Sequence, residues 1–203
     1  MDFVRPLSAA RKQVMALFAL ALLALAGCGP TGAAIGAGAT VATAGQTEKG
    51  IQAAATDLRI RTEINHYLFQ KNVELFGAVA LSVESARVLL TGAVENPEDR
   101  IEATRLAWQA AGVREVINEI QVRNSAGITD RAQDILINKR LQGTLLFDKD
   151  IKSINYSTDT VNGVVYVFGV ARSQTELDRV INHARNLEYV TNVVSYVTVS
   201  KPC

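Results

Sequence analysis

Cysteine and histidine are scarce in this chain, two of each among 203 residues. Cys28 and Cys203 lie near opposite ends, which excludes the disulfide framework of a small secreted fold. A metal centre needs several ligands at suitable spacing, and His66 and His183 stand in helical stretches away from either cysteine and from any paired carboxylates. Net charge is equally sparse, at +1. Residues 1–27 hold Arg5, Arg11 and Lys12 against Asp2, so the remainder keeps 18 of the 21 basic and 19 of the 20 acidic residues. That balance excludes the dense basic face that nucleic acid requires. No apolar run reaches the roughly 20 residues that span a bilayer. Gly32, Gly36 and Gly38 follow no strand, which excludes a phosphate-binding loop. Ser82, Ser85 and Ser125 lack the strand-turn-helix setting of an activated nucleophile. No constellation of acid, base and nucleophile is visible. The expectation is a protein that is not an enzyme and uses no metal, cofactor or small-molecule substrate.

What the chain does have begins at its first residues. Arg5, Arg11 and Lys12 precede an apolar stretch of about a dozen residues, Val14 to Leu25, and small residues follow, the order of a secretory signal. Leu25-Ala26-Gly27-Cys28 resembles the lipobox of bacterial lipoproteins. The resemblance implies a diacylglyceryl group on the Cys28 sulfur, cleavage before Cys28 and acylation of the new amino terminus. At about 0.8 kcal/mol per buried CH₂, several acyl chains make a lasting anchor. Gly29 stands where an aspartate commonly retains such proteins in the inner membrane, so an outer-membrane location, lipid-anchored and facing the periplasm, is expected. Residues 29–55 are rich in glycine, alanine and threonine and offer little to bury. As a flexible tether of about 27 residues they would reach roughly 30 Å on average. Gly32 and Gly36 leave a membrane-apposed helix open as an alternative.

The rest of the chain repeats. A shift of 73 carries Thr56-Asp57 onto Thr129-Asp130, Ile64 onto Ile137 and Leu68 onto Leu141. A shift of 77 carries Val88 onto Val165, Gly92 onto Gly169, Ala107 onto Ala184 and Val116 onto Val193. The change of shift implies four extra residues in the second copy, between its first helix and its second strand. The division expected is a signal over 1–27, a tether over 28–55, a first domain over 56–124 and a second over 129–200.

Each copy reads as helix, strand, strand, helix, strand. Ile60, Ile64, Tyr67 and Leu68 have helical spacing behind a Thr56 or Asp57 cap. Val79, Leu81 and Val83 alternate as one strand, and Val88, Leu90, Gly92 and Val94 as the next. Asn96-Pro97-Glu98-Asp99 starts a helix with a cap, a first-turn proline and acids. Gly112 suits the left-handed turn that ends it, and Val116, Ile120 and Val122 make a third strand. In the second copy Ser173 and Glu176 form a capping box ahead of the stripe Leu177, Val180, Ile181, Ala184 and Leu187.

Leu90-Thr91-Gly92-Ala93-Val94, the capped helix, and Gly112-Val113-Arg114-Glu115-Val116-Ile117-Asn118-Glu119-Ile120-Gln121-Val122 together resemble the BON domain. In the second copy Tyr189 stands at the domain's glycine and Ser195 at its asparagine. With the lipobox and tether, the chain resembles the dual BON-domain lipoproteins of Gram-negative envelopes. The resemblance implies an α+β fold of two tandem αββαβ domains, each a small three-stranded mixed sheet packed against two helices. It implies no catalytic residues, association with phospholipid surfaces, and a part in outer-membrane integrity.

Two surfaces are candidates for that association. In the first copy Leu89, Thr91 and Ala93, with Glu119 and Gln121, lie opposite the core face. In the second the matching face carries Val164, Tyr166, Phe168 and Val170, with Val194 and Tyr196, too apolar to be left in water. Either it packs on the first copy or the linking segment, or Tyr166, Phe168 and Tyr196 dock an outer-membrane or envelope assembly protein. The other candidate is Asp130 to Lys152, where Ile135, Leu136, Leu145, Leu146 and Phe147 accompany Lys139, Arg140, Lys149 and Lys152. Apolar anchors beside cations suit an anionic phospholipid interface, although Asp134, Asp148 and Asp150 oppose it and a merely solvated face is the alternative.

Overall fold

Ile60, Ile64 and Leu68 fall on one face of a 22-residue helix, α1 (Gly50–Lys71), and are fully buried. The computed structural model describes residues 50–123 and 128–200. A short helix, α2 (Val73–Ala78), follows, started by the Asn72 side chain, which accepts the Glu74 N–H at 2.7 Å. Strands β1 (Val79–Glu84) and β2 (Arg87–Val94) pair antiparallel. Helix α3 (Pro97–Gln109) then crosses back, so that β3 (Glu115–Asn118) and β4 (Gln121–Val122) lie parallel to β2. The second half repeats the order: α4 (Ile128–Phe147), a 3₁₀ turn at Ser153–Asn155, β5 (Tyr156–Val161), β6 (Val164–Ala171), α5 (Gln174–Arg185) and β7 (Asn192–Val199). Its sheet runs β5-β6-β7, with β6 antiparallel to β5 and parallel to β7. The fold is thus α+β, with two tandem mixed sheets, each packed on its own helices.

The two halves superimpose at one offset, 77, and the four extra residues read from the sequence do not exist. Ile60, Ile64 and Leu68 correspond to Ile137, Leu141 and Leu145, all buried. The Asp57 carboxylate accepts the N–H groups of Ser85 and Ala86, and Asp134, 77 residues on, accepts those of Asn162 and Gly163. The sequence misleads because four residues are close to one helical turn of 3.6, so a slip of that size returns the apolar stripe to the same face.

Gly92 and Gly169 match because both face the same obstruction. Gly92 has φ +116° and a Cβ on it would lie 2.1 Å from the Ala78 carbonyl oxygen. Gly169 has φ +146° and its Cβ would lie 2.0 Å from the carbonyl oxygen of Asn155, the counterpart of Ala78. Asn118 explains why the third strand of the first half is broken. Its Oδ1 accepts the Ile120 N–H at 3.0 Å while its amide donates to the Arg100 carbonyl and the Thr104 hydroxyl on α3. Ser195 makes no such bridge to α5, and β7 runs unbroken for eight residues.

Three caps differ from expectation. Thr56 and Asp57 lie inside α1 rather than at its start: the Thr56 hydroxyl donates to the Gln52 carbonyl at 3.0 Å, and Asp57 grips the β1–β2 turn. Asn96 occupies the N-cap of α3, but its side chain makes no cap bond and donates instead to Asp99 at 3.3 Å. Ser173 does cap α5, accepting the Glu176 N–H at 3.1 Å. Glu176 does not return the bond to Ser173. It is buried, and accepts the N–H groups of Lys152 and Arg172 and the Arg172 guanidinium.

The apolar sheet face of the second half is covered by the first. Tyr166 and Phe168 form a third buried cluster with Leu89 and Val161, flanked by Ala93, Ile117, Val164, Val194 and Tyr196. Polar groups stitch its edge: Thr91 donates to Asp159, Tyr196 to Glu119, and Gln121 to the Tyr166 hydroxyl. Arg87 donates to the Tyr196 carbonyl at 3.1 Å and lies 5.2 Å from the centre of the Phe168 ring. Burying one ring of that size contributes about 2–3 kcal/mol. Tyr166, Phe168 and Tyr196 therefore hold the two halves together, and the expectation that they dock an outside protein is corrected.

Candidate functional site

Helix α4 is fixed by its inner face. Ile137, Leu141 and Leu145 enter the core, Asn138 accepts the Thr158 hydroxyl at 2.7 Å, and Asp134 grips the β5–β6 turn. Four large apolar side chains consequently face outward: Ile135, Leu136, Leu146 and Phe147 are 62, 45, 67 and 84% exposed. They fall on two adjacent flanks. Ile135, Lys139 and Leu146 share one, and Leu136, Arg140 and Phe147 the other, since residues spaced by 4 and 11 return to the same side of a helix. Each flank thus presents two apolar side chains and one cation. Lys139 reaches Gln142 at 3.3 Å, and Arg140 reaches Glu188 at 3.9 Å, both across exposed surface.

The structure buries Leu145, expected among the outward apolar side chains, in the core, and it does not place Lys149 or Lys152 on this helix. Lys149 is exposed in the turn that follows, and the Lys152 backbone donates to the buried Glu176 at 2.7 Å. The three acids that oppose anion binding are all engaged. Asp134 is committed to two backbone N–H groups. Asp148 accepts His183 at 2.7 Å, and Arg179 pairs with both Asp148 and Asp150. The hydrogen bond from His183, with that from the Asp150 N–H, holds the Asp148 carboxyl below its ordinary range.

Sequence periodicity passes over two further features. Ile101, Trp108 and Val122 are exposed at the rim of a groove that Arg100 and Arg105 also line, away from the buried Ala103, Leu106 and Ala107 stripe of α3. The spacing of seven between Ile101 and Trp108 is the signal that marks them. Tyr189 is 56% exposed with φ +68°, at the position of Gly112. Cys28, Cys203 and residues 29–49 of the expected tether lie outside the described residues, whereas residues 50–55, expected as the end of that tether, form the first turns of α1. Among the described residues no helix is long and apolar enough to cross a membrane, and no group of three or more His, Cys, Asp or Glu is placed to hold a metal.

A mixed sheet packed on two helices, with a glycine pressed against the preceding helix–strand junction, defines a class of small α+β module, here present twice, and in the first copy an asparagine also bridges helix and third strand. Residues 56–124 and 133–201 each match the BON domain, ranges that also stand 77 apart, and the chain belongs to the BON-domain family. It is 41% identical over 142 residues to an Anaplasma centrale protein described as the uncharacterized protein in the gshII 5' region, covering 70% of this chain and 93% of that one. It is 28% identical over 163 residues to the outer membrane lipoprotein DolP of Haemophilus influenzae, covering 79% of this chain and 83% of that protein. It is 26% identical over 117 residues to the osmotically-inducible protein Y of Escherichia coli, covering 57% of this chain and 58% of that one.

Proposed function

We propose that this chain is a non-enzymatic lipoprotein of the bacterial outer membrane, held through Cys28 and facing the periplasm, whose second BON domain lies on anionic phospholipid and so supports membrane integrity. The observation that carries this reading is the outward surface of α4, where Ile135, Leu136, Leu146 and Phe147 stand exposed around Lys139 and Arg140. Apolar side chains that enter the acyl boundary, with cations at headgroup level, are the composition of an interfacial helix. Each cation near an anionic surface contributes about 1 kcal/mol. Of the neighbouring acids, Asp148 and Asp150 are paired with Arg179, which offsets their charge, and Asp134 is turned to the β5–β6 turn. Similarity to a relative named an outer membrane lipoprotein supports the location. An anchor at Cys28 would hold the domain at high effective concentration beside the bilayer, so a weak surface suffices.

The test uses the full chain with Cys28→Ala, which lacks acyl groups and is expected to lose acyl labelling. Co-sedimentation at low salt is expected to favour phosphatidylglycerol over phosphatidylcholine vesicles. Lys139→Glu with Arg140→Glu is expected to abolish that preference. No preference, or one that survives the charge reversal, refutes the reading.

A further inference from the structure

The first half closes the corner between α3 and β3 upon itself. Glu63 accepts the Ala111 N–H at 2.9 Å, Arg59 donates to the Ala111 carbonyl at 3.0 Å, and the two side chains approach each other at 3.7 Å. Gly112 follows with φ +93°, and a Cβ there would sit 3.3 Å from the Arg59 guanidinium. At the offset of 77 every member of this latch is different: Leu136 for Arg59, Arg140 for Glu63, Glu188 for Ala111 and Tyr189 for Gly112. A closed backbone latch has become an exposed ion pair, Arg140 to Glu188, beside an exposed leucine and an exposed tyrosine.

Tyr189 keeps the left-handed backbone that glycine adopts freely and an aromatic residue seldom does. It is clamped there. Its carbonyl oxygen stands 2.9 Å from where Gly163 would carry a Cβ, and Thr191 donates to the Gly163 carbonyl at 2.8 Å. Gly163 is in turn held by Asp134 of α4, also at 2.8 Å. Backbone strain of this kind persists only where the surroundings impose it, and it gathers at working surfaces. Tyr189 directly follows Glu188, the partner of Arg140, and lines the same cleft as Gln133 of α4.

The geometry points to Leu136, Arg140 and Tyr189 as one headgroup-level contact for an anionic phospholipid bilayer, with Tyr189 as its aromatic anchor and Glu188 as the counter-ion that lipid phosphate displaces from Arg140. This rests on the lipid-binding reading of α4 and adds to it residues from the α5–β7 corner. Tyrosine suits this depth because its ring is apolar and its hydroxyl stays wet. Arginine suits phosphate because its planar donors fit the oxygens in pairs. An exposed pair such as Arg140 with Glu188 is readily exchanged for a better partner.

The full chain with Cys28→Ala serves again, reading phosphatidylglycerol binding relative to phosphatidylcholine together with thermal melting. Tyr189→Gly is expected to melt higher, because strain is relieved, yet to lose several-fold in phosphatidylglycerol binding. Tyr189→Trp should keep the binding, and Glu188→Gln should increase it. A Tyr189→Gly protein that binds as well as its parent overturns the proposal, as does Glu188→Gln binding no better. A parent with no phosphatidylglycerol preference overturns the broader reading of α4. A parent whose preference falls with Lys139→Glu and Arg140→Glu but not with Tyr189→Gly overturns the corner alone.

Discussion

A single methyl group is what Gly92 and Gly169 cannot carry. Each combines a positive φ with a backbone carbonyl closer than 2.2 Å to its would-be Cβ, so the neighbour that must yield is main chain rather than a flexible side chain. Gly92→Ala is expected to cost about 2–5 kcal/mol, the sum of conformational strain and overpacking, measured as a fall in urea midpoint at unchanged slope. A variant as stable as the parent would refute the close approach. These glycines are legible in the sequence as a match at constant offset, but the reason for them is not, because Ala78 and Asn155 announce nothing about where their carbonyls point. Tyr189 is the converse. The sequence shows a glycine replaced, and only the backbone angle shows that the replacement kept the glycine's conformation.

At the level of elements, α4 shows how far periodicity reaches and where it stops. Most of its buried stripe and its exposed flanks follow from spacing, but Leu145, which reads as one of the outward apolar residues, lies in the core, and the register relative to α1 is hidden because a shift of one turn leaves the stripe on the same face. The paired aspartates Asp57 and Asp134 settle the register through the turns they grip. Ends of elements are harder still to read. Glu176 has the spacing of a capping box, but the folded chain offers it the N–H groups of Lys152 and Arg172, one of them distant in sequence. The other end of α4 is tied to α5 through Asp148, His183 and Arg179. Because its partners hold the Asp148 carboxyl below the ordinary value, the folded state releases that proton more readily than the unfolded chain. The resulting stability is present above the ordinary carboxylate range and is lost as pH falls through the lowered value. Asp148→Asn is therefore expected to melt lower at neutral pH and to converge with the parent in acid, as followed by circular dichroism. Equal melting at neutral pH would count against the tie.

The whole molecule is organised by the contact between its two sheets. An apolar, aromatic face on the second half is plain in the sequence, and the first copy is among the occupants it suggests, but nothing in Leu89, Thr91 and Ala93 selects them as the residues opposite Tyr166 and Phe168. Asp159 lies within this contact, and burial raises its carboxyl above the ordinary range although the Thr91 hydroxyl partly counters the effect. Between the ordinary and the raised value the folded state binds the extra proton, so its contribution falls as pH rises through that interval. Asp159→Asn, which can still accept from Thr91, is expected to melt higher than the parent at neutral pH and to lose the advantage in acid. A parent that is the more stable at neutral pH would refute the assignment. The same contact has a further property. At the offset of 77 Leu89 corresponds to Tyr166 and Glu119 to Tyr196, and these counterparts meet each other across the contact. Likewise β2 lies against β5 and β1 against β6, an exchange of equivalent strands. Such self-matching is the hallmark of a twofold dimer, here written into one polypeptide. In a dimer of identical subunits any substitution is imposed on both partners at once. Joined in tandem, one half can keep its glycine corner while the other takes a tyrosine, so a symmetric frame comes to present a single-sided surface.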